Sequence, residues 1–271
     1  MDSSFSGPWS ITSSVSKVLV PPHHARASHR DLMALARYWE WERTVERELP
    51  GVIAQARIEI LFQPIYRLHH GLPAARGFEA LARFPAAPRI PLGLWFRAAR
   101  DMGLTTQLEM EAIRAIFGAE RRLPAEAFLC VNASVESLPS LIGSIPPGLK
   151  GRLIVDLPCS ALQTTEIEES IEPIRTSGAG VAIDDVALED LEFYRSRILE
   201  LQPDCVKVDV ATGISATGQA RIHLSDASVW CSEAGVTLMA ERVERVADLA
   251  VLETAGVKWA QGLSLSPPLD L

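Results

Sequence analysis

The chain has 271 residues, 48% of them hydrophobic and 22% charged, with a formal net charge of −8. That suits one large α/β domain with an extension, or two small domains, and it is long enough to bury a core without staples. The acidic balance disfavours a DNA or RNA polymer as partner, no apolar run approaches the roughly 20 residues of a membrane span, and MDSSFSGPWSITSSVSKV lacks the pattern of a secretory signal.

Residues 1–28 are rich in Ser, Pro and His without apolar periodicity, and read as a disordered or loosely held arm. The pair His23–His24 reads as part of that solvated tail rather than as a metal site. Over 29–56 the character changes: Leu32, Leu35, Ala36, Trp39, Val45, Leu49 and Val52 recur at roughly helical spacing among charges. This helical extension could cap the main domain, meet a protein partner or join a dimer. From 57 to 271 strand-like and helix-like segments alternate. The β-rich runs are RIEILFQPIY, GFEALARF, FLCVNAS, RLIVDLP, GVAIDDV, CVKVDV, VTLMAER and VKWAQGL. Amphipathic stretches lie between most of them, at 92–122, 163–177, 189–201, 219–234 and 245–255. Eight strands with intervening helices predict an α/β fold of the TIM (β/α)8 barrel type, with an open doubly wound sheet as the alternative. The linker between the first two strands is too short for a crossover helix, so this pair is expected to be an antiparallel hairpin. The four cysteines, Cys130, Cys159, Cys205 and Cys231, are scattered and form no C-x-x-C pair; they read as reduced thiols in a cytoplasmic protein.

Most strands from the second onward end in a polar residue set against an apolar run: Glu79, Asn132, Asp156, the pair Asp184–Asp185, Lys207, Glu241 and Gln261. In a barrel these converge on the C-terminal face, where the active sites of such folds lie. One aspartate at a strand end is commonly a helix N-cap, and one glutamine means little. A lysine inside CVKVDV is harder to set aside, because a buried ammonium needs charged partners. Carboxylates with an asparagine carbonyl form a hard oxygen set, suited to Mg²⁺, Mn²⁺ or Ca²⁺ rather than to zinc. Asp184 and Asp185 together could serve two cations, an arrangement suited to phosphodiester hydrolysis, with Lys207 set to neutralise phosphate charge or orient the nucleophile.

GFEALARF resembles the signature of the EAL domain family, with Glu79, Ala80 and Leu81 as the triplet and Arg83 at the position of a phosphate-contacting arginine. FQPIY is similar to that family's first-strand Gln-Pro, with Gln63 near the ligand. VNAS, IDD, VKVD, AERVE and QG follow in family order, supplying Asn132, Asp184, Asp185, Lys207, Glu241, Glu244 and Gln261 over residues 57–268. The resemblance implies a modified TIM barrel with an antiparallel first strand. It implies cyclic di-GMP as ligand, opened to linear pGpG with Mg²⁺ or Mn²⁺, Ca²⁺ being inhibitory. It also implies Glu79, Asn132, Asp156 and Asp184 as ligands of a first metal and Asp185 at a second. Lys207, Glu241 and Gln261 would act with Glu79 in catalysis, and Gln63, Leu81, Arg83, Asn132, Asp185 and Glu244 would contact the ligand. A homodimer is plausible on the same ground.

Three departures stand against the family pattern. The fourth-strand motif, normally Glu-x-Thr-Glu, reads Asp156-Leu157-Pro158-Cys159, which shortens one ligand and removes the second glutamate. The segment normally Asp-Asp-Phe-Gly-Thr-Gly reads Asp184-Asp185-Val186-Ala187-Leu188-Glu189, without glycine, so the same turn would be strained. Arg242 replaces the glycine of the family's AEGVE. The expected activity is therefore a slow or regulated phosphodiesterase, with a non-hydrolysing cyclic di-GMP receptor as the alternative and a ligand-free protein scaffold as the third.

Overall fold

The computed structural model describes residues 29–68, 73–164, 167–211, 214 and 218–271, with the backbone alone described for 29–32. The expected arm over 1–28, His23–His24 included, lies outside the described residues. The chain begins with helix α1 (His29–Ala54), then strands β1 (Glu59–Arg67) and β2 (Ala74–Arg83). Helices α2 (Leu92–Asp101) and α3 (Thr105–Gly118) lead to β3 (Phe128–Asn132), and α4 (Leu138–Ile142) leads to β4 (Leu153–Pro158). There follow α5 (Ile167–Thr176), β5 (Gly180–Ala187), α6 (Leu191–Leu201), β6 (Cys205–Asp209), α7 (Gly218–Glu233), β7 (Thr237–Glu241), α8 (Val246–Thr254) and β8 (Trp259–Ala260).

The strands close a barrel in chain order, which excludes the open doubly wound sheet. As expected, β1 runs against the rest: it pairs antiparallel with β2, Gln63 opposite Glu79, and antiparallel with β8. The other neighbours are parallel. The amphipathic stretch 92–122 is two helices rather than one, because Gly103 takes a left-handed φ of 69° that ends α2. The five-residue α4 has no counterpart among the amphipathic stretches read from sequence.

The pleat explains where the chemistry sits. Side chains two apart on a strand share a face. Ile65, Cys130, Ala182, Cys205 and Met239 form an apolar cluster inside the barrel, with Phe128, Ile154 and Trp259 against it. Two residues further along each parallel strand the inward side chain is polar: Asn132 above Cys130, Asp156 above Ile154, Asp184 above Ala182, Lys207 above Cys205, Glu241 above Met239 and Gln261 above Trp259. On antiparallel β1 the step reverses, from Ile65 to Gln63. On β2 the floor position below Glu79 is Gly77, where a Cβ would fall 2.3 Å from the Phe128 ring. The phenyl group fills that gap, and the floor excludes water from beneath the polar layer. The outward residues, among them Phe62, Val131, Val155, Ile183, Val206 and Ala240, are fully buried under the helices.

Helix α1 joins this core through Val45, Leu49 and Val52, spaced to fall on one face, and Arg97 of α2 meets Tyr38 and Glu42. Its N-terminal half leaves Met33 and Trp39 exposed. Among the described residues no helix is long and apolar enough to cross a membrane. The four cysteines are free, and burial pushes the Cys159 thiol up to about 11 and that of Cys231 to about 12, so both stay protonated and unreactive near neutral pH.

Candidate active site

Every strand-end residue singled out above reaches the C-terminal mouth of the barrel. Glu79 anchors one side: Asn132 Nδ2 donates to its Oε1 at 2.8 Å and Gln261 Nε2 to its Oε2 at 2.5 Å. Gln261 Nε2 also reaches Gln63 Oε1 at 3.0 Å, and Gln63 Nε2 donates to the Ser266 carbonyl at 3.1 Å. That carbonyl is presented by the C-terminal segment, which pairs with β1 through Phe62 and Leu269. Lys207, fully buried, supplies the other side: its Nζ lies 2.6 Å from Asp156 Oδ2, 3.2 Å from Glu241 Oε1 and 3.7 Å from Asp184 Oδ1. Burial alone would pull the Lys207 amine down, but Asp156, Asp184 and Glu241 outweigh it and hold the amine well above its ordinary value. The ammonium therefore stays charged.

The pair Asp184–Asp185 owes its reach to a bulge. Between Ile183 and Val186 the β5 strand advances three residues while β6 advances two, from Val206 to Val208. Asp185 takes up the extra residue at a left-handed φ of 56°. In a regular strand these neighbours would face opposite sides of the sheet; here both carboxylates approach Glu241. Neither acts as an N-cap, since α6 starts later, with Asp190 at its cap position. The strain expected of a glycine-free segment is not found where the family's glycines would stand. Ala187 is extended at φ −65° and Glu189 lies in a short 3-10 turn over Leu188–Asp190, so the chain takes a different turn. The left-handed residue is Asp185, which the family pattern also has as aspartate.

Two carboxylate triplets result, Glu79–Asp156–Asp184 and Asp184–Asp185–Glu241, each with oxygens within 4.8 Å of one another and Asp184 common to both. Ligands of one Mg²⁺ or Ca²⁺ ion lie at most about 4–5 Å apart across it. The Oδ1 atoms of Asn132 and Asp156 are buried and accept no hydrogen bond, although such atoms normally have a partner. Two orphaned oxygens beside two carboxylate triplets fit divalent cations. Asp156 keeps its place in the first triplet despite its shorter chain. Desolvation, with the charges of Asp184 and Glu79, raises its carboxyl to about 7, against the pull of Lys207. Burial and Asp184 likewise hold Glu241 well above the carboxylate range.

These shifts carry a prediction. A carboxyl whose folded pKa is raised binds more protons folded than unfolded, so stability is fullest below the unfolded value near 4 and declines as pH rises toward 7. In EDTA the melting temperature should fall between pH 5 and pH 8. Saturating Mg²⁺ should flatten that slope, because the cation takes over the compensation. Melts that rise with pH in EDTA would contradict the buried-carboxyl reading.

Above the carboxylates opens a pocket of about 320 Å³ whose walls include Gln63, Leu81, Arg83, Asp185, Arg242 and Glu244. All of the expected ligand contacts line it. A larger cavity of about 700 Å³ lies at the opposite end, under the apolar floor, and contains none of the strand-end residues. Two features escaped the sequence reading. Glu109 of α3 is fully buried and takes hydrogen bonds from Ser134 N and Oγ, at 3.1 and 2.7 Å, which fixes the chain just after Asn132. Its signal was an acid within the apolar stripe of Leu108, Ala112, Ile113 and Ile116. Asp209 of β6 holds Arg242 through Oδ2 to Nη1 at 2.6 Å.

The EAL domain profile matches residues 46–268. The chain belongs to the EAL domain family. Solved EAL structures share the fold at low identity. The EAL domain protein of Listeria monocytogenes is 19% identical, with 82% of this chain and 93% of that one covered at a TM-score of 0.68. The Xanthomonas citri FimX EAL domain, in complex with c-diGMP, is 19% identical over 87% and 97% of the two chains at 0.69. Bacillus subtilis YkuI, in complex with c-di-GMP and calcium, is 18% identical over 82% of this chain and 58% of that one at 0.66. This EAL domain thus spans little over half of the YkuI chain. No curated protein shows significant similarity to it.

Proposed function

We propose that this EAL domain is a cyclic di-GMP phosphodiesterase, opening the ring to linear pGpG with Mg²⁺ or Mn²⁺ in the cytoplasm. The observation that carries this reading is the pair of carboxylate triplets sharing Asp184, with two orphaned oxygens beside them, beneath a pocket walled by Arg83. Glu79, Asn132, Asp156 and Asp184 would hold the first cation and Asp184, Asp185 and Glu241 the second. When bound, the cations offset phosphate charge and acidify a water.

The remaining work falls to the chain. Arg83 and Gln63 orient the dinucleotide, with Leu81 and Glu244 completing the wall. Glu241, at the edge of the second triplet, would take a proton from the attacking water as a carboxylate, its own proton being displaced when a cation binds beside it. Water oxygen bonds to phosphorus, the bond from phosphorus to the 3′ oxygen breaks, and that oxygen takes up a proton from solvent and leaves as the hydroxyl of pGpG, Glu241 returning its proton to solvent. Lys207 Nζ balances the surrounding carboxylates and keeps Asp156 and Glu241 in place. Gln261 and Asn132 fix the Glu79 carboxylate from two sides. The exposed Met33 and Trp39 on α1 support a protein partner or a second copy at the 29–56 extension, outside the barrel of 57–271.

A receptor that binds without hydrolysing is favoured by one specific observation: Oδ2 of the shortened Asp156 is engaged by Lys207, leaving Oδ1 alone for a cation. A hydrolysis time course with Mg²⁺, Mn²⁺ or Ca²⁺, resolved by chromatography, separates the two. The expected result is pGpG in Mg²⁺ or Mn²⁺ and none in Ca²⁺. Binding without product would establish the receptor. The double substitution Asp156→Glu with Cys159→Glu restores the family's acids and should raise the rate about tenfold or more, since reach on the ångström scale governs such steps. An unchanged rate would locate the limitation in the glycine-free segment after Asp185 and favour the receptor.

A further inference from the structure

Cyclic di-GMP carries two phosphates, and the carboxylate cluster can serve only the one being cut. The pocket lining holds five carboxylates, Glu79, Asp184, Asp185, Glu241 and Glu244, against two cationic side chains, Arg83 and Arg242. Arg83 ends β2 and Arg242 follows the end of β7, with β1 and β8 between them in the barrel. Three strand spacings separate them, roughly 14 Å along the wall.

Arg242 is held where it is by two devices. Its backbone sits at φ 55°, a left-handed conformation in which an L residue is strained. The resemblance to the family gives glycine there, the residue that tolerates this conformation, so the arginine accepts strain that a glycine would avoid. Second, its Nη1 donates to Asp209 Oδ2 at 2.6 Å, while Asp209 Oδ1 accepts the Ala211 N–H at 2.8 Å. Asp209 stands beside Glu241 in the β6–β7 register. The pair is partly exposed, so it contributes little stability and serves chiefly to aim the side chain. A guanidinium held by one nitrogen still presents a donor edge, a geometry that matches phosphate oxygens.

Resting on the cyclic di-GMP reading, we infer that Arg242 is a second phosphate-binding side chain, so that Arg83 and Arg242, three strands apart on the wall, hold the two phosphates of one ligand. Arg242 thereby favours a ligand with two separated phosphates over a mononucleotide.

The test is calorimetric binding of cyclic di-GMP, and of GMP, in Ca²⁺ at two salt concentrations, for the wild type, Arg242→Gly and Arg242→Lys. Glycine suits the left-handed backbone, so Arg242→Gly should fold at least as stably as the wild type, which a melt will check. The expected result is a Kd for cyclic di-GMP raised about tenfold or more in Arg242→Gly, with a weaker salt dependence, partial recovery in Arg242→Lys, and little change for GMP. Wild-type binding that Arg242→Gly matches within twofold, or exceeds, overturns the Arg242 assignment and leaves the cyclic di-GMP reading standing. Absence of binding by the wild type overturns that reading, and this inference with it.

Discussion

Replacing Glu79 with alanine is expected to abolish hydrolysis of cyclic di-GMP and to weaken divalent-cation binding together. Glu79 is nearly buried and its two oxygens are the acceptors for Asn132 and Gln261. Truncation removes one carboxylate of the first triplet and frees both amides to rotate, so the Asn132 oxygen also loses its aim. Loss of a residue that merely supports a metal ligand typically lowers affinity or activity by 10- to 100-fold; loss of the ligand itself should exceed about 100-fold. Product formation by highly purified Glu79→Ala, at a rate near that of the wild type, would remove Glu79 from the site. Calorimetry with Mn²⁺ on the same protein tells a lost ligand from a lost fold, and a melt confirms that the barrel persists.

The second large effect concerns Lys207. Substitution by methionine keeps the approximate volume but withdraws the ammonium that faces Asp156, Asp184 and Glu241. Removing one partner of a buried ion pair leaves charge uncompensated and costs about 3–5 kcal/mol. At pH 8 in EDTA, Lys207→Met should therefore melt on the order of 10 °C lower than the wild type. The deficit should shrink at pH 5, where the buried carboxyls take up protons, and in saturating Mn²⁺, where a divalent cation supplies the missing charge. A variant that melts within about 2 °C of the wild type at pH 8 in EDTA would show that the ammonium does not hold this cluster together. Hydrolysis by Lys207→Met in Mn²⁺ then reports separately on its role at the phosphate.

The positions of Glu79, Asn132, Asp156, Asp184, Lys207, Glu241 and Gln261 were legible because each interrupts an apolar strand at its C-terminal end. A period of two then fixes the face on which each lies. The closed barrel and its reversed first strand were legible from the number of strands and from a linker too short for a helix. The family, too, was legible, from motifs in order rather than from any one of them.

Pairing between distant segments decided the rest. Strict alternation would send Asp185 away from Asp184; the bulge against β6 turns it inward, and no local signal in IDDV specifies which residue absorbs the extra step. Glu109 is distant in sequence from the strand ends and became part of the site only when α3 packed beneath Ser134. Arg242 was visible as a charge replacing glycine, but its direction depends on Asp209, 33 residues earlier in the chain and adjacent only because β6 and β7 are neighbours. The sequence by itself determined which side chains stand at the mouth of the barrel, because strand periodicity is local. Which carboxylate oxygens come within reach of one another, and where the arginines point, was decided by the tertiary structure, because those relations depend on register between strands that the local pattern does not encode.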